Sequence, residues 1–251
     1  MAAAPVRYER TGAAALVTID RPERRNAVDA ATAEGLRESL DRFERDDGAR
    51  VMVLTGAGGV AFCAGADLKA MDLDIEHPQG PMGFTRVTPS KPTIAAISGW
   101  CLAGGFEIAL WCDLRIVTED STFGMFERRW GVPLIDGGTQ RLRRIVGMGR
   151  ALELTLTGRP VDAEEALRIG LSNEVVPPGR HVERALELAE RLAGFPQETM
   201  LSDRRATIDG AGLSLPEGLE LEHRLGREVL DVAARGAARF AGGEGRGGAG
   251  V

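Results

Sequence analysis

The sequence predicts an α/β protein in which a largely parallel sheet is followed by a mainly helical C-terminal region. Short apolar runs rich in Val, Ile and Leu alternate with helical patterns over the first two-thirds of the 251 residues. Such β-α-β alternation is typical of parallel strands joined by right-handed crossovers. After about Arg141 the apolar spacing becomes mostly helical. The length suits one large domain, or one domain with a smaller appendage.

Buried strands and two helices are predicted in the first part of the chain. The strands are short aliphatic runs, namely Ala14–Ile19, Val51–Leu54, Thr93–Ile97 and Leu114–Val117. Apolar residues at helical spacing behind Asp29 and Thr32 predict a helix over Asp29–Phe43. A shorter helix is expected over Ala103–Trp111, beside a pair of glycines. The Pro- and Gly-containing stretch Asp72–Thr88 is predicted to be an irregular surface excursion, either a lid or a loop.

The C-terminal third is predicted to be helical, with one short strand at Glu174–Val176. The expected helices are Gly149–Leu156, Asp162–Arg168, Val182–Leu192, Glu198–Ile208 and Pro216–Ala234. The Gly-rich tail from Gly242 to Val251 is predicted to be disordered. We therefore expect a core domain over residues 1–195 and a helical region with its tail over residues 196–251.

Composition and charge exclude several classes of protein. The formal net charge of −6 argues against nucleic-acid binding, which needs clustered positive charge. Three cysteines cannot form a disulfide framework, and Met1–Arg7 lacks the pattern of an export signal. Since 29 of the 31 basic residues are arginine, which indicates GC-rich coding, we expect a bacterial cytoplasmic protein. No membrane span is expected, because glycines break the apolar run Thr93–Trp111.

Two common cofactor or metal sites lack support. Gly56-Ala-Gly-Gly-Val-Ala61 matches the G-x-G-x-x-G/A pattern of dinucleotide binding. The long helix and the acidic residue about 20 positions on that this fingerprint needs do not follow. The histidines His77, His181 and His223 are far apart and none falls in an H-x-x-x-H spacing, so no zinc site is expected. The cysteines are interpreted as small core residues, and His77 and His223 as solvated.

Two glycine-rich turns suggest a site that stabilises an oxyanion. They are Cys63-Ala-Gly-Ala-Asp-Leu-Lys69 and Gly99-Trp-Cys-Leu-Ala-Gly-Gly-Phe-Glu107. Each is predicted to join the end of a strand to the start of a helix, where backbone N–H groups are free and the helix dipole lies behind them. Two such turns side by side could supply paired donors. The alternative is that the glycines only permit tight turns.

Two glutamates lie near these turns. Glu107 falls within an apolar helical pattern, where an ionised carboxylate is costly unless it has partners or a chemical role. Glu127 comes twenty residues later, just past a short strand. Together they could act as a general acid and a general base. Glu127 could equally be an ion-pair partner of Arg128 or Arg129.

Three motifs closely resemble the enoyl-CoA hydratase/isomerase (crotonase) superfamily. They are Phe62-Cys-Ala-Gly-Ala-Asp-Leu68, Ala103-Gly-Gly-Phe-Glu-Ile-Ala-Leu-Trp-Cys-Asp113 and Gly137-Gly-Thr-Gln-Arg-Leu142. Arg21-Pro-Glu-Arg-Arg-Asn-Ala-Val28 is similar to the N-terminal CoA-binding segment of the family. The resemblance implies a crotonase-like spiral of ββα units with a helical C-terminal region, a homotrimer or homohexamer, and an acyl-CoA substrate. It implies no metal or redox cofactor.

The resemblance also implies roles for individual residues. The N–H groups of Ala66 and Gly104 correspond to the oxyanion hole. Glu107 corresponds to the general base that activates water, and Glu127 to the acid that delivers a proton to C2. The positions of the family's CoA contacts are Arg25, Ala27, Ala64, Asp67 and Leu68.

One segment departs from the hydratase pattern. Ile135 takes a place that is usually glycine beside the reacting carbons, so an altered acyl pocket or water position is expected. In dienoyl isomerases and aryl dehalogenases an aspartate occupies that place, and Asp136 is one residue later. We interpret Asp136 as the N-cap of the next helix.

Retention of both glutamates favours an enoyl-CoA hydratase-like lyase. The alternatives are an acyl-CoA double-bond isomerase that uses mainly Glu127, an acyl-CoA binding protein without turnover, and a nicotinamide-dependent enzyme. The sequence leaves open the acyl chain, the metabolic pathway and the choice between trimer and hexamer.

Overall fold

The computed structural model describes residues 4–244. The strands are β1 (Val6–Thr11), β2 (Ala14–Ile19), β3 (Val51–Gly56), β4 (Ala61–Cys63), β5 (Thr93–Ile97), β6 (Trp100–Leu102), β7 (Leu114–Thr118), β8 (Thr122–Gly124), β9 (Val161–Asp162) and β10 (Glu174–Val176). The α-helices are α1 (Ala30–Arg45), α2 (Gly104–Trp111), α3 (Gly138–Val146), α4 (Met148–Thr157), α5 (Ala163–Arg168), α6 (His181–Ala193), α7 (Gln197–Asp209), α8 (Leu215–Arg227) and α9 (Leu230–Ala241). Contacts divide the chain into two compact units, one ending at Ala189 and one beginning at Glu190.

The strands of the first unit form two sheets. The larger has the order β1-β2-β3-β5-β7-β10, and its strands are parallel except for the antiparallel pair β1/β2. The smaller has the order β4-β6-β8-β9, in which only β9 runs antiparallel to its neighbour. The chain thus alternates between the sheets: β5 and β6 precede α2, and β7 and β8 precede α3. The predicted parallel sheet is confirmed, and the smaller sheet was not predicted.

Helix α1 begins where the sequence indicated. The Asp29 carboxylate accepts hydrogen bonds from the Thr32 N–H at 2.9 Å and the Thr32 hydroxyl at 2.7 Å, which satisfies one free donor of the first turn. Leu36, Leu40 and Phe43 lie on the buried face. Large aromatic side chains from α1, β4, α2, β8 and the segment before β5 fill the core: Phe43, Phe62, Phe106, Phe123 and Phe84.

Two predictions about local structure were wrong. The segment Asp72–Thr88 has no regular structure, but it is not all on the surface, because residues 80–85 are buried and Phe84 stacks on Trp111 with ring centroids 4.2 Å apart. The single helix predicted over Pro216–Ala234 is two helices. Val229 leaves the helical conformation (φ −119°, ψ 16°) and separates α8 from α9.

The second unit is helical over its described residues. The end of α6 leads to α7, which packs against α8 and α9. A capping box at Ser214 and Glu217 starts α8. The predicted tail from Gly242 falls largely on residues 245–251, outside the described part of the chain. The domain boundary predicted between residues 195 and 196 stays a prediction. None of the described helices has the length and apolar character needed to cross a membrane.

Candidate active site

A cavity of about 780 Å³ lies in the first unit, at the ends of β4, β6 and β8. Its walls are mainly apolar, and four carboxylic acids also line it. The acids are Asp67, Glu107, Glu127 and Asp136. The apolar walls come from the loop after β4, the excursion before β5, and the segment between β8 and α3, including Leu68, Met71, Leu73, Ile75, Met82, Phe126, Trp130, Val132, Leu134 and Ile135.

The loop after β4 holds Ala66 by strand-like pairing. Val28 donates its N–H to the Gly65 carbonyl and accepts from the Asp67 N–H, both at 2.8 Å. Gly65 has φ +94°, a conformation that side-chain-bearing residues rarely adopt. The Ala66 N–H has no hydrogen-bond acceptor among residues 4–244.

The helix predicted after this loop was wrong. The chain makes only one turn, in which the N–H groups of Ala70 and Met71 both bond to the Asp67 carbonyl at 3.0 Å. The Ala66 N–H is therefore freed by the pairing of its neighbours with Val28, and no helix dipole lies behind it.

The second glycine turn starts α2, as predicted. Ala103 before it has φ 49° and ψ −126°, a strained conformation for alanine. The Gly104 N–H has no acceptor within the described residues. A Cβ on Gly65 would lie 2.9 Å from the Gly104 nitrogen. The two turns are thus in contact, and they bring the free N–H groups of Ala66 and Gly104 to one side of the cavity.

Glu107 is 3% exposed and is held by the start of α3. Its Oε1 accepts the Gly138 N–H at 2.7 Å and the Asp136 N–H at 3.0 Å. Burial raises the pKa of Glu107 to about 7, although the Gly138 N–H opposes this, and the nearby charges of Asp136 and Glu127 add to the rise. A carboxyl group of this kind can exchange a proton near neutral pH.

Glu127 is equally buried but has different neighbours. It lies in a short 3-10 helix, Phe126–Arg129, and is 5% exposed. Neither carboxylate oxygen has a hydrogen-bond partner among the described residues. The Arg128 Nε forms a long ion pair with Glu127 Oε1 at 3.8 Å, whereas the Arg129 guanidinium stacks on Phe126. Burial raises the pKa of Glu127, which favours its neutral form.

Asp136 is not the N-cap of α3, so that interpretation was wrong. Gly137 takes the cap position with φ 97° and contributes no side-chain bond. The Asp136 side chain turns inward, is 4% exposed, and accepts the Met82 N–H at 3.1 Å and the Thr85 hydroxyl. Helix capping uses only residues close together in the chain, so the sequence could suggest it. Met82 and Thr85 are more than fifty residues away in sequence, so their hydrogen bonds to Asp136 could not be predicted. Ile135 is 40% exposed and lines the cavity.

The predicted CoA-binding residues fall into two groups. Ala64, Asp67 and Leu68 line the cavity. Arg25 and Ala27 lie outside its lining, and Arg25 is joined to the cavity edge through its carbonyl, which accepts the Ala64 N–H at 3.0 Å.

Asp67 is fixed in its ionised form. Burial opposes ionisation, but the Lys69 N–H and the Arg21 guanidinium, 3.0 Å away, outweigh it and lower the pKa of Asp67. Arg21 also pairs with Asp29 at 2.8 Å. Because Arg21 holds the Asp67 side chain in place, Asp67 forms part of the cavity edge. Its lowered pKa keeps it ionised, so it does not exchange protons near neutral pH.

Sequence reasoning missed most of the apolar walls. The excursion before β5 and the segment 130–135 lack a repeating pattern, so no periodicity marks them. Trp130 belongs to this wall and is 74% exposed there, which only the structure shows.

The histidines and cysteines lie elsewhere. In residues 4–244 no group of three or more His, Cys, Asp and Glu is arranged to hold a metal ion. Cys63, Cys101 and Cys112 are buried, as predicted, and burial raises the pKa of each thiol. His223 is exposed and His77 is half-buried.

Comparisons with known proteins show which family the chain resembles. A family model described as enoyl-CoA hydratase/isomerase matches residues 9–243. The chain is 40% identical over 223 residues to a probable enoyl-CoA hydratase of Rhizobium meliloti, covering 86% of each protein. It is 37% identical over 221 residues to a short-chain-enoyl-CoA hydratase of Clostridium acetobutylicum, covering 85% of each.

A solved structure supports the expected fold. The crystal structure of an enoyl-CoA hydratase from Mycobacterium tuberculosis superposes with a TM-score of 0.90 at 36% identity, over 95% of this chain and 96% of that one. The expected crotonase-like fold is confirmed.

Proposed function

Because the chain belongs to the enoyl-CoA hydratase/isomerase family, we propose that it is an enoyl-CoA hydratase-like lyase. It adds water across the 2,3 double bond of an enoyl-CoA thioester, or removes water in the reverse reaction. The observation that carries the proposal is a pair of buried carboxylic acids, Glu107 and Glu127, lining one cavity beside two free backbone donors.

The free donors stabilise the charge that develops in the reaction. Addition of a nucleophile at C3 moves electrons toward the thioester oxygen, which becomes an enolate. The N–H groups of Ala66 and Gly104 donate to this oxygen and need no reorganisation, because the paired loop after β4 and the start of α2 already hold them. Removal of one such donor typically slows an enzyme by about 100–1,000-fold.

The two glutamates divide the proton transfers. Glu107, with a pKa of about 7, takes a proton from water as its oxygen attacks C3. Glu127, whose neutral form is favoured by burial, gives a proton to C2 as the enolate collapses. Glu107 ends protonated and Glu127 ionised, and exchange of one proton restores the starting state. Two acids with different environments suit these opposite roles.

The substrate brings coenzyme A, and no metal or redox cofactor takes part in this proposal. Ala64, Asp67 and Leu68 contact the CoA portion at the cavity edge, with Ala27 beside them. Arg25 offers an exposed guanidinium for a phosphate group. The active assembly is a homotrimer or homohexamer.

Mass spectrometry of a panel of trans-2-enoyl-CoA thioesters, short to long and including aryl chains, tests the function. The expected result is a gain of one water on at least one chain, lost in Glu107→Gln and in Glu127→Gln. Glu164→Gln is the matched control, because Glu164 is an exposed glutamate in α5. If no thioester gains water, the hydratase proposal is wrong.

A double-bond isomerase is the second candidate, and the environment of Glu127 favours it. Its oxygens accept no hydrogen bond from residues 4–244, so this one carboxylate could move a proton between C2 and C4. Conversion of 3-enoyl-CoA to 2-enoyl-CoA that survives Glu107→Ala would support it. Binding of acyl-CoA esters with no turnover would instead indicate a binding protein.

A further inference from the structure

The carboxylate of Asp136 holds a distant part of the cavity wall. Its Oδ1 accepts the Met82 N–H at 3.1 Å and the Thr85 hydroxyl. Met82, Thr85 and Asp136 are all at most 4% exposed. The irregular wall segment Gly80–Thr85 has no helix or strand to fix its path, so these hydrogen bonds, together with the packing of Phe84 on Trp111, fix where it lies.

The backbone of Asp136 is tied on the other side. Its N–H donates to the Glu107 Oε1 at 3.0 Å, and its carbonyl accepts from the Arg141 Nη1 at 2.8 Å. The Arg141 Nη2 in turn donates to the Thr85 carbonyl. Asp136, Arg141 and Thr85 therefore form a closed ring of hydrogen bonds, and Glu107 is attached to it.

The wall segment also touches the oxyanion side of the cavity. A Cβ on Gly104 would lie 2.8 Å from Met82 Cε and 3.2 Å from its sulfur, which places the Met82 side chain directly against Gly104. A displacement of the wall at Met82 would thus be felt at one of the two free N–H groups.

We propose that Asp136 is a positioning residue, which locks the wall segment Gly80–Thr85 and the carboxylate of Glu107 into one arrangement. It acts through its hydrogen bonds with Met82 and Thr85 and through its own N–H. The inference rests on the proposed function for its effect on turnover. Its effect on Glu107 can be measured whatever the reaction is.

The charges around Glu107 and Asp136 mean that the arrangement affects the pKa of Glu107, which can be measured. Glu107 faces the carboxyl groups of Asp136 and Glu127 and the guanidinium of Arg141. Burial raises the pKa of Asp136, while the hydrogen bonds from Thr85 and Met82 and the charges of Arg86 and Arg141 oppose this rise and favour its ionised form. Burial is the largest cause of the raised pKa of Glu107, and the negative charge of Asp136 adds to it. Removing that charge while keeping an acceptor oxygen therefore lowers the pKa of Glu107.

Three variants separate charge from attachment. Asp136→Asn keeps an oxygen for Met82 and Thr85 but removes the charge. Thr85→Val keeps the charge but removes one attachment, and Asp136→Ala removes both. Asp162→Asn is the matched control, since Asp162 is an exposed aspartate that accepts the Glu165 N–H at 2.8 Å, outside the cavity lining.

The first measurement is the pH dependence of kcat for hydration, with an enoyl-CoA thioester that gains water as the substrate. In Asp136→Asn the acid limb, below which Glu107 is protonated, moves to lower pH by about one unit. In Thr85→Val kcat falls about fivefold with the acid limb unmoved, and in Asp136→Ala it falls at least about tenfold. Asp162→Asn changes neither. An unmoved limb in Asp136→Asn overturns the proposal, and so does a kcat of Asp136→Ala within about twofold of that of the natural protein.

The second measurement does not need turnover. Carbon-13 NMR of glutamate-labelled protein, with the Glu107 signal assigned by Glu107→Gln, gives the titration midpoint of Glu107 directly. A lower midpoint in Asp136→Asn than in the natural protein supports the coupling even if no thioester is hydrated. The same midpoint in both overturns it even if hydration is observed.

Discussion

Replacing Gly138 with alanine tests whether the hydrogen bond that positions the Glu107 carboxylate is needed for activity. Gly138 is the first residue of α3 and donates its N–H to Glu107 Oε1 at 2.7 Å. An added Cβ would lie 2.9 Å from both Cγ and Oε1 of Glu107. Because carbon atoms in contact prefer separations of about 3.5–4.0 Å, the methyl group pushes the carboxylate away by about 0.5 Å or more.

The expected loss follows from that displacement. A hydrogen bond to a charged group contributes about 1.5–3 kcal/mol, and about 1.4 kcal/mol corresponds to a tenfold change in rate. Gly138→Ala is therefore expected to lower kcat for hydration by about 10–100-fold. The Gly138 N–H also opposes the rise in the pKa of Glu107, so its loss moves the acid limb of the pH profile to higher pH.

The assay is the ultraviolet absorbance of the conjugated thioester, followed at saturating substrate across neutral pH. Gly149→Ala is the control, because Gly149 is also near the start of a helix, α4, with nothing within 4 Å of an added Cβ. It should raise the free energy of unfolding by about 0.5–1 kcal/mol and leave kcat unchanged. A Gly138→Ala protein with kcat within about twofold of the natural one, and an unmoved acid limb, would refute the reasoning.

Three further predictions concern activity and stability. Gly65→Ala should lower kcat by about 100-fold, because its Cβ would lie 2.9 Å from the backbone nitrogen at the start of α2. The control is Gly59→Ala, because Gly59 also has a positive φ (+70°) but none of the described residues comes within 4 Å of an added Cβ. It should lower the free energy of unfolding by only about 1 kcal/mol. Equal kcat values in Gly65→Ala and Gly59→Ala would contradict this prediction. Burial raises the pKa of both Glu107 and Glu127, so their ionisation opposes folding. Urea unfolding should show that Glu107→Gln and Glu127→Gln become more stable relative to the natural protein as pH rises. For Glu107→Gln the gain is at most about 3 kcal/mol, and it develops between pH 4.5, the ordinary pKa, and about pH 7, the raised pKa. A gain that shrinks with rising pH would contradict this prediction. Lys91→Met should lower the free energy of unfolding by about 2 kcal/mol with kcat unchanged, since the Lys91 ammonium donates to three backbone carbonyls in the last turn of α1 and in the loop after it. An unchanged free energy of unfolding would show that these bonds contribute little.

Hydrophobic spacing located the main elements because it is a local property. Strands β2 and β5 have the predicted bounds, and α1 begins directly after Asp29. The strands of the smaller sheet were not found in this way. Three of them, β4, β6 and β8, are three residues long, too short to show alternation, and their pairing partners lie far along the chain.

The candidate acids could be located from sequence for a different reason. Glu107 interrupts an apolar helical pattern, and its neighbourhood carries the motif that the resemblance rests on. Burial of Glu127 could not be anticipated, because Arg128 and Arg129 follow it directly and offer an obvious ion pair. In the structure Arg129 stacks on an aromatic ring, and Arg128 makes only a long ion pair with Glu127, at 3.8 Å.

The sequence by itself determined five strands of the larger sheet, the helix α1, the two glycine turns and the glutamates near them. Each of these depends on residues close together in the chain. Only the tertiary structure decided that Ala66 is freed by pairing with Val28, and that Asp136 turns away from its helix toward Met82 and Thr85. Those outcomes depend on groups that are distant in the chain and that folding brings within hydrogen-bonding distance. A local sequence pattern does not predict such contacts.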